Sequence, residues 1–337
     1  MNFKIYQSYL ILTLFLLTGC TNDRAVDVTG IEVEVDLHRF EREVFSVGDT
    51  ILPPYIEELR TEFGGFIEVF ANNIMTMRVD NDTAFASNLN YFVNDTSVRE
   101  VYNRVNEKYE DLDWLETDLH DFLKYYKYYF PDKEAPFITT YVSAFNYGVI
   151  TSDTILGIGL DMFLGKDFIY YSQIGIPAYL YSRFTPEFIV PNCIRAIAQN
   201  DYDPLLVKNE LLSQMVYEGK LIYFIKQMAP GLHDSLVTGF TGDQLEWCYE
   251  SESEIWGFLI EQKLLFNTDP STYVKYVNDG PTTSGFPDRS PGKVASFTGW
   301  KIVDEYMDKN PNVSLKQLME LNDAQSILES SGYKPNK

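Results

Sequence analysis

The residues whose types and spacing could do chemistry lie between positions 188 and 228, where polar side chains recur at helical spacing inside apolar segments. Two helical patterns follow one another there, about 188–202 and 205–228. The second is entered through Asp203-Pro204, an N-cap residue type followed by proline at the first helical position. On an ideal helix Leu211, Leu212, Met215, Val216, Ile222 and Ile225 form one apolar stripe, and Glu218 falls inside it. A carboxylate in such surroundings is costly unless it meets a proton, a cation or hydrogen-bond donors, so Glu218 is expected to have a partner. Gly219 beside it predicts the close approach of another backbone, despite a helix cost of about 1 kcal/mol relative to alanine.

The preceding helix buries Ile189, Val190, Cys193, Ile194 and Ile197, and sets Arg195 and Gln199 one turn apart on its other side. In zinc peptidases of the gluzincin kind that spacing belongs to the two histidines of H-E-x-x-H, and a glutamate from a following helix is the third ligand. Glu218-Gly219 is similar to that third position. The segment Arg195-Ala196-Ile197-Ala198-Gln199, however, has neither a histidine nor the general-base glutamate, and His38, His120 and His233 sit in separate segments. The expectation is therefore a vestigial site with no metal, no cofactor and no catalytic residue, in which Arg195 or Gln199 partners Glu218. In the alternative arrangement Arg195 and Gln199 face water and Glu218 borders a wider polar face. No Gly-x-Ser-x-Gly elbow is present, and Gly157-Ile158-Gly159 lacks the rest of a dinucleotide fingerprint.

These helices must be set in a chain that opens with an address. Residues 1–19 hold one cation, Lys4, and the apolar run Tyr9 to Leu17, as in a signal peptide. Leu17-Thr18-Gly19-Cys20 resembles a bacterial lipobox, which makes Cys20 the expected lipid attachment, a palmitate-type acyl anchor, and residues 20–30 a tether. The formal charge is −22, and loss of Lys4 moves it to −23. Such acidity argues against a nucleic-acid partner. Cys193 and Cys248 are flanked by apolar or aromatic residues and are expected as core thiols, not a disulfide framework.

The remaining punctuation predicts an α+β fold, mainly α-helical. Residues 31–37 alternate apolar and acidic types as a half-buried strand does, and 38–45 enter a short helix. Helical patterns run over 54–78, with a break at Gly64-Gly65, over 95–109 and over 112–129. Thr139 to Val142 and Val149 to Thr151 read as an antiparallel β-hairpin turning through Asn146-Tyr147-Gly148, with 154–161 as a third strand. Thr241, Ser251 and Ser314 open helices with capping boxes or their like, and Ser290-Pro291 is expected to start another. The turn-rich segment 278–287 reads as a surface connection that could cover a cleft. A mostly helical region over 31–130 is thus followed by a core over 131–337, zincin-like in its hairpin packed on helices.

The sequence resembles the gliding motility-associated lipoprotein GldB family. The resemblance is carried by the lipobox at Cys20, His38-Arg39-Phe40-Glu41, Ala144-Phe145-Asn146-Tyr147-Gly148, the glycine-rich run from Leu156 to Gly165, Tyr217-Glu218-Gly219-Lys220, Glu246-Trp247-Cys248, Ile255-Trp256, Ser290-Pro291-Gly292 and Gly299-Trp300. It implies an envelope lipoprotein anchored by its N-terminal lipid, at the outer membrane facing the periplasm, with protein partners in the gliding and secretion apparatus. A more distant similarity links the second half to predicted zinc-dependent proteases. Non-catalytic assembly component, divergent hydrolase using Glu218, and binder of a peptide or cell-wall ligand are the functions these readings leave open.

Overall fold

The computed structural model describes residues 26–48, 50–76, 81–203 and 207–335. The expected signal peptide and Cys20 lie outside the described residues. Among those described, no helix is long and apolar enough to cross a membrane.

Four short strands form one mixed sheet in the order β1-β2-β4-β3, with β1 at Leu37–Arg39, β2 at Phe137–Tyr141, β3 at Val149–Thr151 and β4 at Ile155–Gly159. β1 pairs with β2 and β2 with β4 in parallel, while β3 and β4 are antiparallel. The expected hairpin between 139–142 and 149–151 is thereby corrected: the hairpin is β3–β4, with Val149 opposite Ile158. β4 is buried along its whole length, so its amides and carbonyls need neighbours on both edges. Its glycines let it lie there, since a Cβ on Gly157 would sit 2.7 Å from Ile150 and one on Gly159 2.1 Å from the Tyr147 carbonyl. Before β1, residues 31–36 alternate half-buried and exposed as expected, but only 37–39 join the sheet.

The His38-Arg39-Phe40-Glu41 motif staples β1 in place. Glu41 is fully buried; its Oε1 accepts from Arg39 Nε at 2.5 Å and its Oε2 from Thr140 Oγ1 at 2.7 Å. His38 stacks on Phe137 with ring centroids 4.4 Å apart. Phe40 meets Phe63, Phe66 and Phe70 edge to face, at the start of a helical layer.

That layer comprises α1 (Phe40–Ser46), α2 (Pro53–Phe63), α3 (Phe66–Val69) running into a π-helical turn at Phe70–Ile74, α4 (Asp82–Asn94), α5 (Thr96–Lys108) and α6 (Asp113–Tyr129). Gly64, with φ +51°, makes the expected break after α2. α4 was not expected, although Asn81 caps it and Phe85, Leu89, Phe92 and Val93 give it a buried face.

The second half adds α7 (Ile169–Gln173), α8 (Ala178–Tyr181), α9 (Ile189–Asp201), α10 (Leu211–Met228), α11 (Asp234–Thr238), α12 (Gly242–Glu250), α13 (Glu252–Glu261), α14 (Pro270–Val277), α15 (Val294–Lys309), α16 (Leu315–Glu320) and α17 (Ala324–Ser331). α10 begins after Glu210, not at Asp203-Pro204; residues 204–206 lie outside the described residues. Its start is set by tertiary contact, because the first helical amides, Leu211 and Leu212, donate to the carbonyls of Asn267 and Leu265. Likewise α15 begins at Val294, not at Ser290-Pro291: buried Ser290 accepts from the Thr283 amide, and Thr283 Oγ1 accepts from the Val294 amide. Capping boxes form at Thr241 and Ser314, whereas Ser251 makes no side-chain cap. α10 and α15 cross where Gly219 meets Gly299, the backbone approach that Gly219 predicts. One hydrophobic core runs through both halves, with Cys193 and Cys248 buried in it as free thiols.

Candidate functional site

α9 and α10 lie side by side, and the cleft beside them has a volume of about 610 Å³. Arg195 comes from the solvent side of α9 and Glu218 from α10. Arg195 Nη1 donates to Glu218 Oε2 at 3.0 Å, with both side chains 21% exposed. Gln199 lines the same cleft one turn further along α9. All three sequence-derived residues thus converge, and the cation at Glu218 is Arg195.

Three further charged residues complete the floor, none singled out by helical spacing. Arg183 Nη2 lies 3.1 Å from Asp279 Oδ2, and Lys293 Nζ 3.1 Å from Asp279 Oδ1. Asp279 belongs to the turn-rich segment read as a surface connection that could cover a cleft; it forms part of the cleft floor. Arg183 fits because Gly239, at φ +74°, carries no side chain where a Cβ would stand 3.0 Å from the guanidinium. Lys293 adopts a left-handed backbone, φ +50°, immediately before α15, a placement with no sequence signal. Burial would push the Asp279 carboxyl up, yet Lys293 and Arg183 hold it below the usual range. Burial pushes Lys293 down, opposed by Asp279 and reinforced by Arg195 and Arg183.

Leu180, Phe184, Phe188, Leu236 and Val237 add apolar surface to the walls, beside polar Asn192, Thr238 and Asn278. A second cavity of about 490 Å³ shares Arg183, Asp279 and Lys293 and runs on past Gly242 and Gln244. The ionisable floor therefore carries three cations, Arg183, Arg195 and Lys293, against two carboxylates, Glu218 and Asp279. Among the described residues no three His, Cys, Asp or Glu side chains gather as a metal would require. His38 lies in β1, and His233 caps α11 through its ring nitrogen.

A second polar cluster holds the Ala144-Phe145-Asn146-Tyr147-Gly148 motif. Ala144 and Phe145 both take positive φ, 56° and 68°. The turn is pinned by Asp161 Oδ2, which accepts from the Phe145 amide at 2.6 Å and the Ser143 amide at 3.2 Å. Asp161 is completely buried and its Oδ1 has no partner; burial pushes its carboxyl up to about 6 against the pull of those amides. This cluster shapes a loop and opens on no cavity named above.

Fold and cleft together define a mainly helical α+β protein whose polar groups meet in an ion-paired cleft. The family described as Gliding motility protein GldB matches residues 21–335, nearly the whole chain, and the chain belongs to that family. No curated protein and no solved structure matches it.

Proposed function

We propose that this gliding motility-related chain is an envelope lipoprotein, anchored through acylated Cys20 at the outer membrane facing the periplasm. There it acts as a non-catalytic assembly component of the gliding apparatus, linked to the outer-membrane secretion machinery, and it engages a protein partner through its cleft. The observation that carries the reading is the Arg195–Glu218 ion pair. A glutamate ligating a metal offers its lone pairs to the ion; here a guanidinium occupies Oε2, from the helix that would have to supply imidazoles. The family match supports the gliding role, and Leu17-Thr18-Gly19-Cys20 supports the anchor.

Two measurements test this. Membrane fractionation should move Cys20→Ala from the membrane to the soluble fraction, and labelled palmitate should enter the wild type only. Elemental analysis of the purified protein should find no stoichiometric transition metal. A tightly held metal lost in Glu218→Gln, together with peptide cleavage lost in the same variant, would replace this reading with that of a hydrolase.

A further inference from the structure

A cleft floor with one more cation than carboxylate is unusual ground in a chain of formal charge −22. The excess is not spread over a solvated surface: the Lys293 side chain is 12% exposed, and Arg183 and Arg195 are each 21% exposed. Burying an uncompensated positive charge is costly, and a bound anion removes that cost.

We propose that the cleft is a carboxylate-binding site, in which Arg183, Arg195 and Lys293 receive one acidic group of a peptide segment whose neighbouring apolar side chain lies against Phe184, Phe188 and Leu236. This deepens the reading of the cleft as a contact site for a protein partner and rests on it. The charge count restricts the ligand to a monoanion: one negative charge brings the floor to neutrality, whereas a phosphomonoester dianion would leave an excess of the opposite sign. The guanidinium fork of Arg195 matches a carboxylate in a bidentate manner. Its bond to Glu218 engages one terminal nitrogen of a group with five N–H donors, so an incoming carboxylate can share the fork. The volume is that of a pocket enclosing a small ligand or a few side chains. The lowered proton affinity of Lys293 agrees, since it reflects burial beside two other cations.

Isothermal titration calorimetry on the purified full-length protein in detergent tests the site with four probes: acetyl-Ala-Phe with a free carboxylate, its C-terminal amide, acetyl-Asp-Phe-amide and glycerophosphoglycerol. At least one carboxylate peptide should bind, and the uncharged amide should bind about tenfold more weakly or worse. Whichever carboxylate peptide binds more tightly identifies the source, chain terminus or acidic side chain. Lys293→Met should reduce the carboxylate peptide to the affinity of the amide. Glu218→Gln, which frees Arg195 and raises the excess charge, should tighten binding severalfold, a gain that misfolding cannot imitate. Equal affinities for acid and amide, no binding of either, tighter binding of glycerophosphoglycerol, or weakening in Glu218→Gln would each overturn the proposal. Such a failure is distinct from failure of the anchored-component reading, which the fractionation and metal measurements decide without any peptide.

Discussion

The crossing of α10 and α15 is tight enough for a single methyl group to be felt across the second half. A Cβ on Gly219 would lie 2.3 Å from both the carbonyl carbon and oxygen of Gly299, and one on Gly299 would lie 1.7 Å from the Met215 carbonyl oxygen. Both obstacles are backbone, which cannot rotate away as a side chain can, so the helices would have to separate by roughly 1 Å or more to restore contact distances near 3.5 Å. Overpacking of this kind costs about 3 kcal/mol at the upper end of its usual range. Alanine in a helix returns about 1 kcal/mol, leaving a net loss of about 2 kcal/mol for Gly219→Ala and more for Gly299→Ala. For 337 residues at roughly 2 cal/mol/K each, about 2 kcal/mol lowers the melting temperature by about 3 °C. Gly257 in α13 supplies the control, because a Cβ there meets nothing within 4 Å; Gly257→Ala should raise stability by about 0.5–1 kcal/mol. Thermal unfolding followed by circular dichroism compares the three variants. If Gly219→Ala and Gly299→Ala melt with the wild type or above it, the packing argument is wrong.

Other perturbations have equally definite outcomes. Glu41→Gln leaves Arg39 without its buried carboxylate partner and should cost about 3–5 kcal/mol, read as a lower urea midpoint at an unchanged slope. Asp161, with a folded carboxyl pushed up to about 6, stabilises most below its unfolded value near 3.8, and that contribution is lost as pH rises through 6. Stability of the wild type relative to Asp161→Asn should therefore fall by about 2 kcal/mol between pH 4 and pH 7; parallel curves would refute the assignment. Buried Lys220 donates to the carbonyls of Met319 and Leu321, and burial pushes it down to about 8. Its unfolded form keeps the proton to about 10.5, so the wild type should gain stability relative to Lys220→Met as pH rises from 8 to 10, by about 2–3 kcal/mol. Melting temperatures at matched ionic strength would show whether that gain is there.

Much of the helical framework was legible because local rules act within a few residues. The caps at Thr241 and Ser314, the glycine break after α2 and the close approach at Gly219 of α10 all announce themselves in sequence. Strand order was not, because β2 reaches β4 in parallel across an intervening segment, and alternation carries no information about which strands become neighbours. The starts of α10 and α15 escaped for a related reason. A proline signal at 203–204 yields to carbonyls from residues 265 and 267, and one at 290–291 yields to a threonine eight or more residues upstream. Of the cleft, the need of Glu218 for a partner was legible from helical phase, though not which of Arg195, Gln199 or water it meets. Arg183, Asp279 and Lys293 were not, since they come from three irregular segments that only the folded chain brings together.

Consecutive residues of α10 point in different directions, about 100° apart. Glu218 faces the cleft, Gly219 is pressed on α15, and Lys220 grips the closing turn of α16. A single helical turn thus ties the floor of the cleft to the carbonyls that close α16. Truncation before α16 would strip Lys220 of both acceptors and free the turn that also carries Glu218.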